Sequence, residues 1–191
     1  MQGYSFSDTV RHALASARDE AVALHHAYVG AEHVLLALTM SGDRALLDLW
    51  SALGVSPDEL RQDLIASVPP GHGAPPGPDL PYTRTAKKVL EFAMREALAL
   101  EDSTVEPLHL LLGEAGQERE LPAKMLEARG ATLEAIRAEV ARLRGRGLPE
   151  PVESIDVSIR MRSGSIVQRR FEAGIDDDDV YVFLAPFVHR L

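Results

Sequence analysis

The residues most capable of chemistry lie close together near the start of the chain, where His25, His26, Glu32 and His33 fall within one short stretch. Imidazole and carboxylate groups bind Zn²⁺, and a catalytic zinc site needs three protein ligands plus a water. The spacing is poor, because His26 and His33 are separated by a Gly-containing turn rather than placed four apart on one helix face. We therefore predict no metal site, and a metal-dependent hydrolase using His26, Glu32 and His33 is the weakest alternative.

Other catalytic patterns are missing from the sequence. There is no cysteine, so a thiol nucleophile and thiolate zinc sites are excluded. Neither a G-x-S-x-G nucleophile elbow nor a G-x-x-x-x-G-K-[ST] phosphate loop occurs. The acidic run at 176–179 lacks the alternation and the glycine of an EF-hand loop, which favours a solvated turn. We predict a protein with no catalytic residues, no metal and no cofactor.

The composition is that of an ordinary globular protein, with 46% hydrophobic and 26% charged residues among 191. The formal net charge is -9, which argues against nucleic acid as a partner. No apolar run approaches the roughly 18 residues of a membrane span, and no signal peptide is visible. These features predict a cytoplasmic protein without a membrane partner.

Two breaks divide the chain. Residues 69–81 hold six of the twelve prolines together with several glycines, which predicts a linker. A second Gly- and Pro-containing break covers 145–151. We predict a first repeat at 1–68, a linker at 69–81, a second repeat at 82–145 and a β-rich extension at 146–191.

The first segment has helical periodicity. Apolar residues spaced three and four apart follow Ser7, which indicates an amphipathic helix capped by that serine. The stretch near 32–39 is apolar nearly all round, so we expect a helix buried on most sides. Two more helices are predicted, over 43–53 and from Ser56 onward.

The second segment repeats the first at one fixed offset of 76 positions. The matched pairs are Phe6 and Tyr82, Leu14 and Leu90, Glu20 and Glu96, His33 and His109, and Gly54 and Gly130. Chance similarity between helices would not keep a single offset across the loops. The sequence therefore predicts a mainly α protein, in which tandem duplicated four-helix repeats pack as a pseudo-two-fold bundle.

The last segment changes to a strand pattern. Ile155, Val157 and Ile159 alternate with polar residues, Ser163 and Gly164 form a turn signal, and another β-prone run follows from Ile166. We predict a short C-terminal β-hairpin, and a third strand over 180–184.

Two parts of the sequence carry a resemblance to a known family. The first copy reads FSDTVRHAL over 6–14 and HAYVGAEHVLLAL over 26–38, and the second copy opens with YTRTAKKVL over 82–90. These strings resemble the Clp N-terminal repeat, in which the corresponding strings run roughly GHxYIGTEHLLLAL and [YF]TPRAKKVL. The resemblance covers about residues 4–145. Tandem copies are what the N-terminal domains of ClpA- and ClpC-type unfoldases carry.

The resemblance implies binding rather than catalysis, since such domains look like docking platforms for adaptors and substrates of an AAA+ unfoldase. In ClpC-type members the G-T-E-H turn can hold phosphoarginine. This implies a ligand-binding role for Glu32, whose carboxylate would face the guanidinium, and for Ser7, which stands where the family has a threonine. Ala31 replaces the family threonine and Leu108 replaces the second glutamate, so one such site at most is expected. The alternative is that Glu32 only complements the dipole of its helix.

A second family surface runs between the opening helices of the two repeats, and Phe6, Tyr82 and Lys87 match it. Cyclic-peptide antibiotics bind there in some relatives. The same three residues could equally be packing or solvated positions.

The resulting prediction is a non-catalytic binding module of the Clp protease and chaperone system. It would dock protein or peptide substrates and adaptors, including phosphoarginine-marked ones, as an accessory or a competing factor. Clp unfoldase or protease subunits are further expected partners. The alternative is a protein that sequesters a peptide or small molecule in the groove between the repeats.

Overall fold

The structure is a computed structural model that describes residues 5–72 and 80–145, and the backbone of 154–160 and 166–172. The described residues are mainly helical, as the sequence predicts. The first four helices are α1 (Asp8–Ala23), α2 (Ala31–Thr39), α3 (Arg44–Leu53) and α4 (Pro57–Ser67). The next four are α5 (Arg84–Ala99), α6 (Pro107–Ala115), α7 (Leu121–Glu127) and α8 (Leu133–Leu143). The strands are β1 (Ser5–Phe6), β2 (Thr104–Val105), β3 (Ser154–Arg160) and β4 (Ile166–Glu172).

The duplication is visible in the helix boundaries. Each end of α5, α6 and α8 lies 76 positions after the matching end of α1, α2 and α4. Ser7 caps α1 and Thr83 caps α5 with the same backbone angles, φ -64° and ψ 163°. Each cap hydroxyl accepts a backbone N–H three residues later at 3.1 Å. The prediction of two four-helix repeats is confirmed.

The apolar helices α2 and α6 form the centre of the bundle. Every residue of α6 is buried, and α2 is buried except for partial exposure of Glu32. The two helices pack against each other, and each also contacts the first helix of its own repeat. A helix that is apolar all round needs neighbours on several sides, so these contacts join the two repeats into one core.

The opening residues of each repeat pair with the other repeat. β1 pairs in parallel with β2, so that Phe6 lies opposite Val105, and Tyr82 forms the matching isolated bridge with Val29. The Ser7 amide donates to the Val105 carbonyl at 3.1 Å, as the Thr83 amide does to that of Val29 at 2.9 Å. The sequence pattern did not predict these short pairings, which connect the two repeats.

The predicted C-terminal hairpin is confirmed. β3 and β4 pair antiparallel from Ser154 opposite Glu172 to Arg160 opposite Ile166. The third strand predicted at 180–184 lies outside the described residues, as do 73–79 of the predicted linker. Among the helices that the structure describes, none is long and apolar enough to cross a membrane.

Candidate functional site

The turn between α1 and α2 places the chemically capable residues. His25 has a left-handed backbone with φ 56°, a conformation that L residues adopt rarely. His26, which follows, is turned inward and is only 5% exposed. The matching residue of the second repeat, Glu101, has the same conformation with φ 60°. Both repeats therefore have the same backbone conformation at this turn, but the side chains on the turn differ.

His26 and His33 belong to a continuous chain of hydrogen bonds. The Gly30 amide donates to Nδ1 of His33 at 2.8 Å, so that nitrogen carries no hydrogen. In a neutral ring Nε2 of His33 then bears the hydrogen and donates to Nδ1 of His26 at 2.8 Å. Nε2 of His26 in turn donates to the Pro69 carbonyl at 2.8 Å. This network assigns one tautomer to each ring and joins the start of α2 to the residues that follow α4.

Both rings are neutral in this arrangement. Burial, together with the neighbouring His26, lowers the pKa of His33 to about 4. A proton added to Nδ1 of His26 would face the Nε2 hydrogen of His33 and break the chain. The network is complete only while neither histidine is protonated.

The network also argues against a metal centre. His26, Glu32 and His33 are brought together, with one potential ligand atom from each within 4.8 Å of the others. In the assigned tautomer, however, Nε2 of His33 carries hydrogen and Nδ1 accepts from Gly30, so neither nitrogen offers a free lone pair. Zn²⁺ could bind only by breaking hydrogen bonds already made. The geometry does not support the metal-dependent hydrolase alternative.

Glu32 lies in the first turn of α2 with 21% of its side chain exposed. Its carboxylate folds back over Gly30, because a Cβ on that glycine would lie 2.2 Å from Oε1 of Glu32. Burial raises the pKa of Glu32, and the Glu120 charge adds to this, whereas hydrogen bonding to its own amide and the neighbouring His26 oppose it. The Glu32 carboxylate thus accepts a hydrogen bond from its own amide in the first turn of α2, and it also faces a recess in the surface.

The recess is an open pocket of about 490 Å³ between the His25–Glu32 turn and the chain that follows α4. Its lining residues are His25, His26, Ala27, Tyr28, Glu32, Val68, Pro69, Pro70, Gly71, His72 and Leu121. Tyr28 and Leu121 are 40% and 37% exposed. Among the described lining residues there is no lysine or arginine. Glu32 is the one carboxylate of this lining, and it sits among aromatic, proline and leucine side chains.

Residues 69–71 form one wall of the pocket and are fastened to the turn. The Gly71 amide donates to the Leu24 carbonyl at 2.8 Å. A Cβ on Gly71 would lie 1.9 Å from the His25 carbonyl oxygen, so only glycine allows this approach. Together with the bond from His26 to Pro69, this contact sets the pocket width.

A buried carboxyl group lies on α6, at a position that the apolar pattern of the sequence did not reveal. Glu114 on α6 has no exposed surface, and neither of its oxygens has a hydrogen-bond partner. Burial raises its pKa well above the usual range, and the charges of Glu32 and Glu120 raise it further. The offset of 76 could have found it, because Leu38 occupies the matching position of α2.

Ser7 is not placed beside Glu32 by any contact that the structure gives it. Its hydroxyl caps α1, and its amide bonds Val105 in the loop of the second repeat. Thr83 is the cap residue that bonds the loop preceding Glu32. The reason is that the opening residues of each repeat pair with the other repeat, so that each helix cap lies at the turn of the opposite repeat.

The three groove residues are mostly engaged in packing. Phe6 packs against the core beside Val105. Tyr82 is 4% exposed, and the Arg18 guanidinium lies 5.5 Å from its ring centre. Lys87 is partly exposed near the start of α5. Of the three, Tyr82 is a packing residue between the repeats.

The second repeat holds no equivalent of the Glu32 pocket chemistry. Asp102 replaces His26, lies 3.0 Å from Nε2 of His109, and pairs with Arg144. Leu108 stands where the first repeat has Glu32 and is 5% exposed. The turn that carries two neutral rings in the first repeat thus carries an ion pair in the second. The position of Glu32, the second residue of the helix that follows the turn, holds a carboxylate in the first repeat and a leucine in the second.

Comparison with known proteins shows one family to which the chain is similar. Residues 5–128 match the family model for the Clp repeat (R) N-terminal domain. Over 140 residues the chain is 32% identical to the Bacillus subtilis protein "Negative regulator of genetic competence ClpC/MecB" and 31% identical to the Oceanobacillus iheyensis "Chaperone protein ClpB". Each alignment covers 73% of this chain and 17% of the relative. The chain therefore spans less than a fifth of these curated relatives.

Solved structures show the same fold. The N-terminal domain of the chaperone ClpD from Arabidopsis thaliana aligns with a TM-score of 0.57 and 23% identity, over 73% of this chain and 95% of that one. The Hsp104 N-terminal domain from Candida albicans aligns with a TM-score of 0.62 and 17% identity, over 77% and 96%.

Proposed function

This chain belongs to the family of Clp repeat N-terminal domains, and we propose that it docks protein partners by binding an arginine side chain in the pocket at Glu32. Domains of this family are binding modules for substrates and adaptors, and the proposal assigns the chain no catalytic step. The observation that carries it is the position of Glu32, a partly exposed carboxylate in an open pocket without lysine or arginine among the described lining residues.

The pocket suits a guanidinium group in both charge and shape. A carboxylate binds the planar fork of arginine through charge-assisted hydrogen bonds. The exposed ring of Tyr28 offers a face for stacking, and Leu121 offers apolar surface for the methylene stem. Lysine would use the charge but would gain less from the planar contacts.

The proposed role in the cell requires only that the chain docks its partners, without any catalytic activity of its own. The activities of the whole relatives are not carried over, because the alignment covers 17% of their length. We propose that the chain acts as an accessory or competing factor of the Clp system in the cytoplasm, holding substrates or adaptors that carry an accessible arginine. The family resemblance implies phosphoarginine as a ligand, so the test below includes a peptide with this modified form of arginine.

The test uses the full chain, isotope-labelled for NMR, and three five-residue peptides with arginine, phosphoarginine or citrulline at the centre. We expect the arginine peptide to shift the amide signals of Tyr28, Gly30 and Gly71, and the uncharged citrulline peptide to shift none. Glu32→Gln should weaken binding about tenfold or more, as expected for the loss of a charge-assisted bond.

Glu134→Gln is the matched control, because Glu134 is also the second residue of a helix but is exposed and outside the pocket. It should leave binding unchanged. The proposal is wrong if neither the arginine nor the phosphoarginine peptide binds, or if Glu32→Gln and Glu134→Gln behave alike.

A further inference from the structure

The hairpin of β3 and β4 leaves two strand edges that pair with no other strand among those the structure describes. Its sheet has two strands, and the substantial contacts of each strand are with the other. An unpaired edge presents a row of backbone N–H and C=O groups that can pair with a further strand. A two-stranded hairpin is also marginally stable in water unless it gains another strand or packs against a neighbour. Each edge is therefore a place where a further strand could add.

The edge of β4 is protected by charge. Val167, Arg169 and Phe171 share one face of the sheet, because successive residues of a strand alternate between the two faces. Arg169 thus interrupts an otherwise apolar face, and inward charges of this kind are a common protection against edge-to-edge pairing. If two copies of β4 paired antiparallel about their middle residue, Arg169 would lie opposite Arg169, which is unfavourable.

The edge of β3 has the opposite pattern. One face of this strand holds apolar residues alone, which are Ile155, Val157 and Ile159. The strand is self-complementary when a second copy runs antiparallel to it and pairs about Val157, the middle residue. Ile155 then lies opposite Ile159 of the second copy, and Val157 lies opposite Val157. Every apolar residue of β3 thus meets a β-branched apolar residue, the kind of cross-strand pair that stabilises a sheet.

The polar face of β3 agrees with the same register. Asp156 lies opposite Ser158 of the second copy, and Arg160 lies opposite Ser154, so no like charges are opposed. A register centred on Asp156 would oppose two carboxylates, and a register centred on Ser158 would pair only residues 156–160 of the strand. The register about Val157 pairs all seven residues of β3 without a charge conflict.

We infer that β3 is an interface between two copies of this chain, which pair antiparallel about Val157 and join the two hairpins into one four-stranded sheet. The strand order is β4, β3, β3 of the second copy and β4 of the second copy. The contact is isologous, since the same edge serves on both chains and Val157 lies on the two-fold axis. The inference requires nothing of the pocket at Glu32, so it is independent of the proposed function.

Sedimentation equilibrium of the full chain over a range of concentrations tests the association, and we expect a mass of twice the 20.8 kDa of one chain. The chain has no cysteine, so a single introduced cysteine reports on its own position alone. Val157→Cys should give a disulfide-linked dimer under mild oxidation, because the two copies of this position meet at the axis.

Arg169→Cys is the matched control for cross-linking, because Arg169 lies opposite Val157 within the hairpin. In the four-stranded sheet its two copies are three strand spacings apart, about 14 Å, which is too far for a disulfide. This variant should therefore stay unlinked.

A pair of charge variants separates loss of the interface from loss of folding. Val157→Lys and Val157→Glu each place two like charges at the axis, and each should weaken self-association about fivefold or more. Mixed in equal amounts, they should form a heterodimer, which unfolded hairpins could not do. Ser158→Lys, opposite Asp156 on the polar face, should leave the association intact.

A monomer at every concentration overturns the inference, whether the β3 edge is open or is covered by the strand predicted at 180–184. A dimer overturns it equally if Arg169→Cys cross-links as readily as Val157→Cys. The same holds if the mixture of the two charge variants associates no better than either variant alone.

Discussion

Nδ1 of His26 lies 2.8 Å from Nε2 of His33, and this contact connects the first turn of α2 with the Pro69 carbonyl beyond α4. Each nitrogen along the path has one assigned role, as donor or as acceptor. The wall of the pocket is therefore held by hydrogen bonds that depend on the tautomer of each ring.

Stability should fall on mild acidification because of this network. The pKa of His33 is lowered to about 4 in the folded protein, against about 6.5 when unfolded, so the unfolded chain binds more protons between those values. The stabilisation is complete above pH 6.5 and is lost as the pH falls toward 4. Urea unfolding at pH 7.5 and pH 5 measures the loss.

His33→Gln separates this effect from the carboxyl groups, because glutamine can accept from Gly30 and donate to His26 but does not titrate. The variant should be less stable than wild type at pH 7.5 and should lose less on acidification. An equal loss in both proteins would show that His33 does not carry the pH dependence.

Glu114→Leu should stabilise the protein, and more strongly at pH 8 than at pH 5. The pKa of Glu114 is raised in the folded state, so its contribution to stability is greatest below its unfolded pKa and is lost as the pH rises. We expect a gain of about 1–3 kcal/mol at pH 8, the cost of an unsatisfied buried polar group. Urea unfolding at both pH values tests this, and a gain independent of pH would contradict it.

Three glycines should respond differently to alanine. At Gly113 a Cβ would lie 2.3 Å from the Val89 carbonyl oxygen, so α5 and α6 would have to separate, at a cost of about 1–3 kcal/mol. At Gly30 the three nearest atoms would all belong to the Glu32 carboxylate, which can swing into the pocket at little cost. At Gly42 nothing lies within 4 Å. The measurement is the free energy of unfolding of each variant. If Gly113→Ala is as stable as Gly42→Ala, α5 and α6 do not approach each other so closely.

The two matched ion pairs should differ in strength. Arg137 binds both oxygens of Glu96, whose side chain is 5% exposed. Arg61 contacts both oxygens of Glu20 through a single nitrogen, at 3.0 and 2.9 Å, and the Glu20 side chain is 17% exposed. Arg137→Ala should cost about 2–3 kcal/mol, below the 3–5 kcal/mol of a fully buried pair because Arg137 is itself partly exposed. Arg61→Ala should cost less, and chemical denaturation of both variants ranks them.

The repeat organisation was predictable from the sequence because it depends on local periodicity and on one constant offset. The helix that starts after Ser7 and the one that starts after Thr83 follow from their capping residues and apolar faces. The pairing of Phe6 with Val105 was not predictable, because two-residue strands leave no alternation and their partners are far apart in the chain. The division into 1–68, 69–81, 82–145 and 146–191 stays a prediction.

The candidate site was predictable in part. Glu32 was found through the resemblance of its turn, but the placement of Ser7 depends on which repeat's loop receives it, and that is a property of the assembled bundle. Glu114 was overlooked because one acid does not disturb the apolar pattern of α6. Its burial follows from the packing of α6 against α2 and α7.

The exchange of opening residues between the repeats has a consequence for synthesis on the ribosome. Ser5 leaves the exit tunnel early, but its hydrogen-bonding neighbour Thr104 is 99 residues downstream. During that interval α1 to α4 can assemble and Val29 can pair with Tyr82, while β1 still has no partner. The opening residues of the first repeat therefore stay unpaired until the chain has been made as far as Val105, although the helices of that repeat are complete long before.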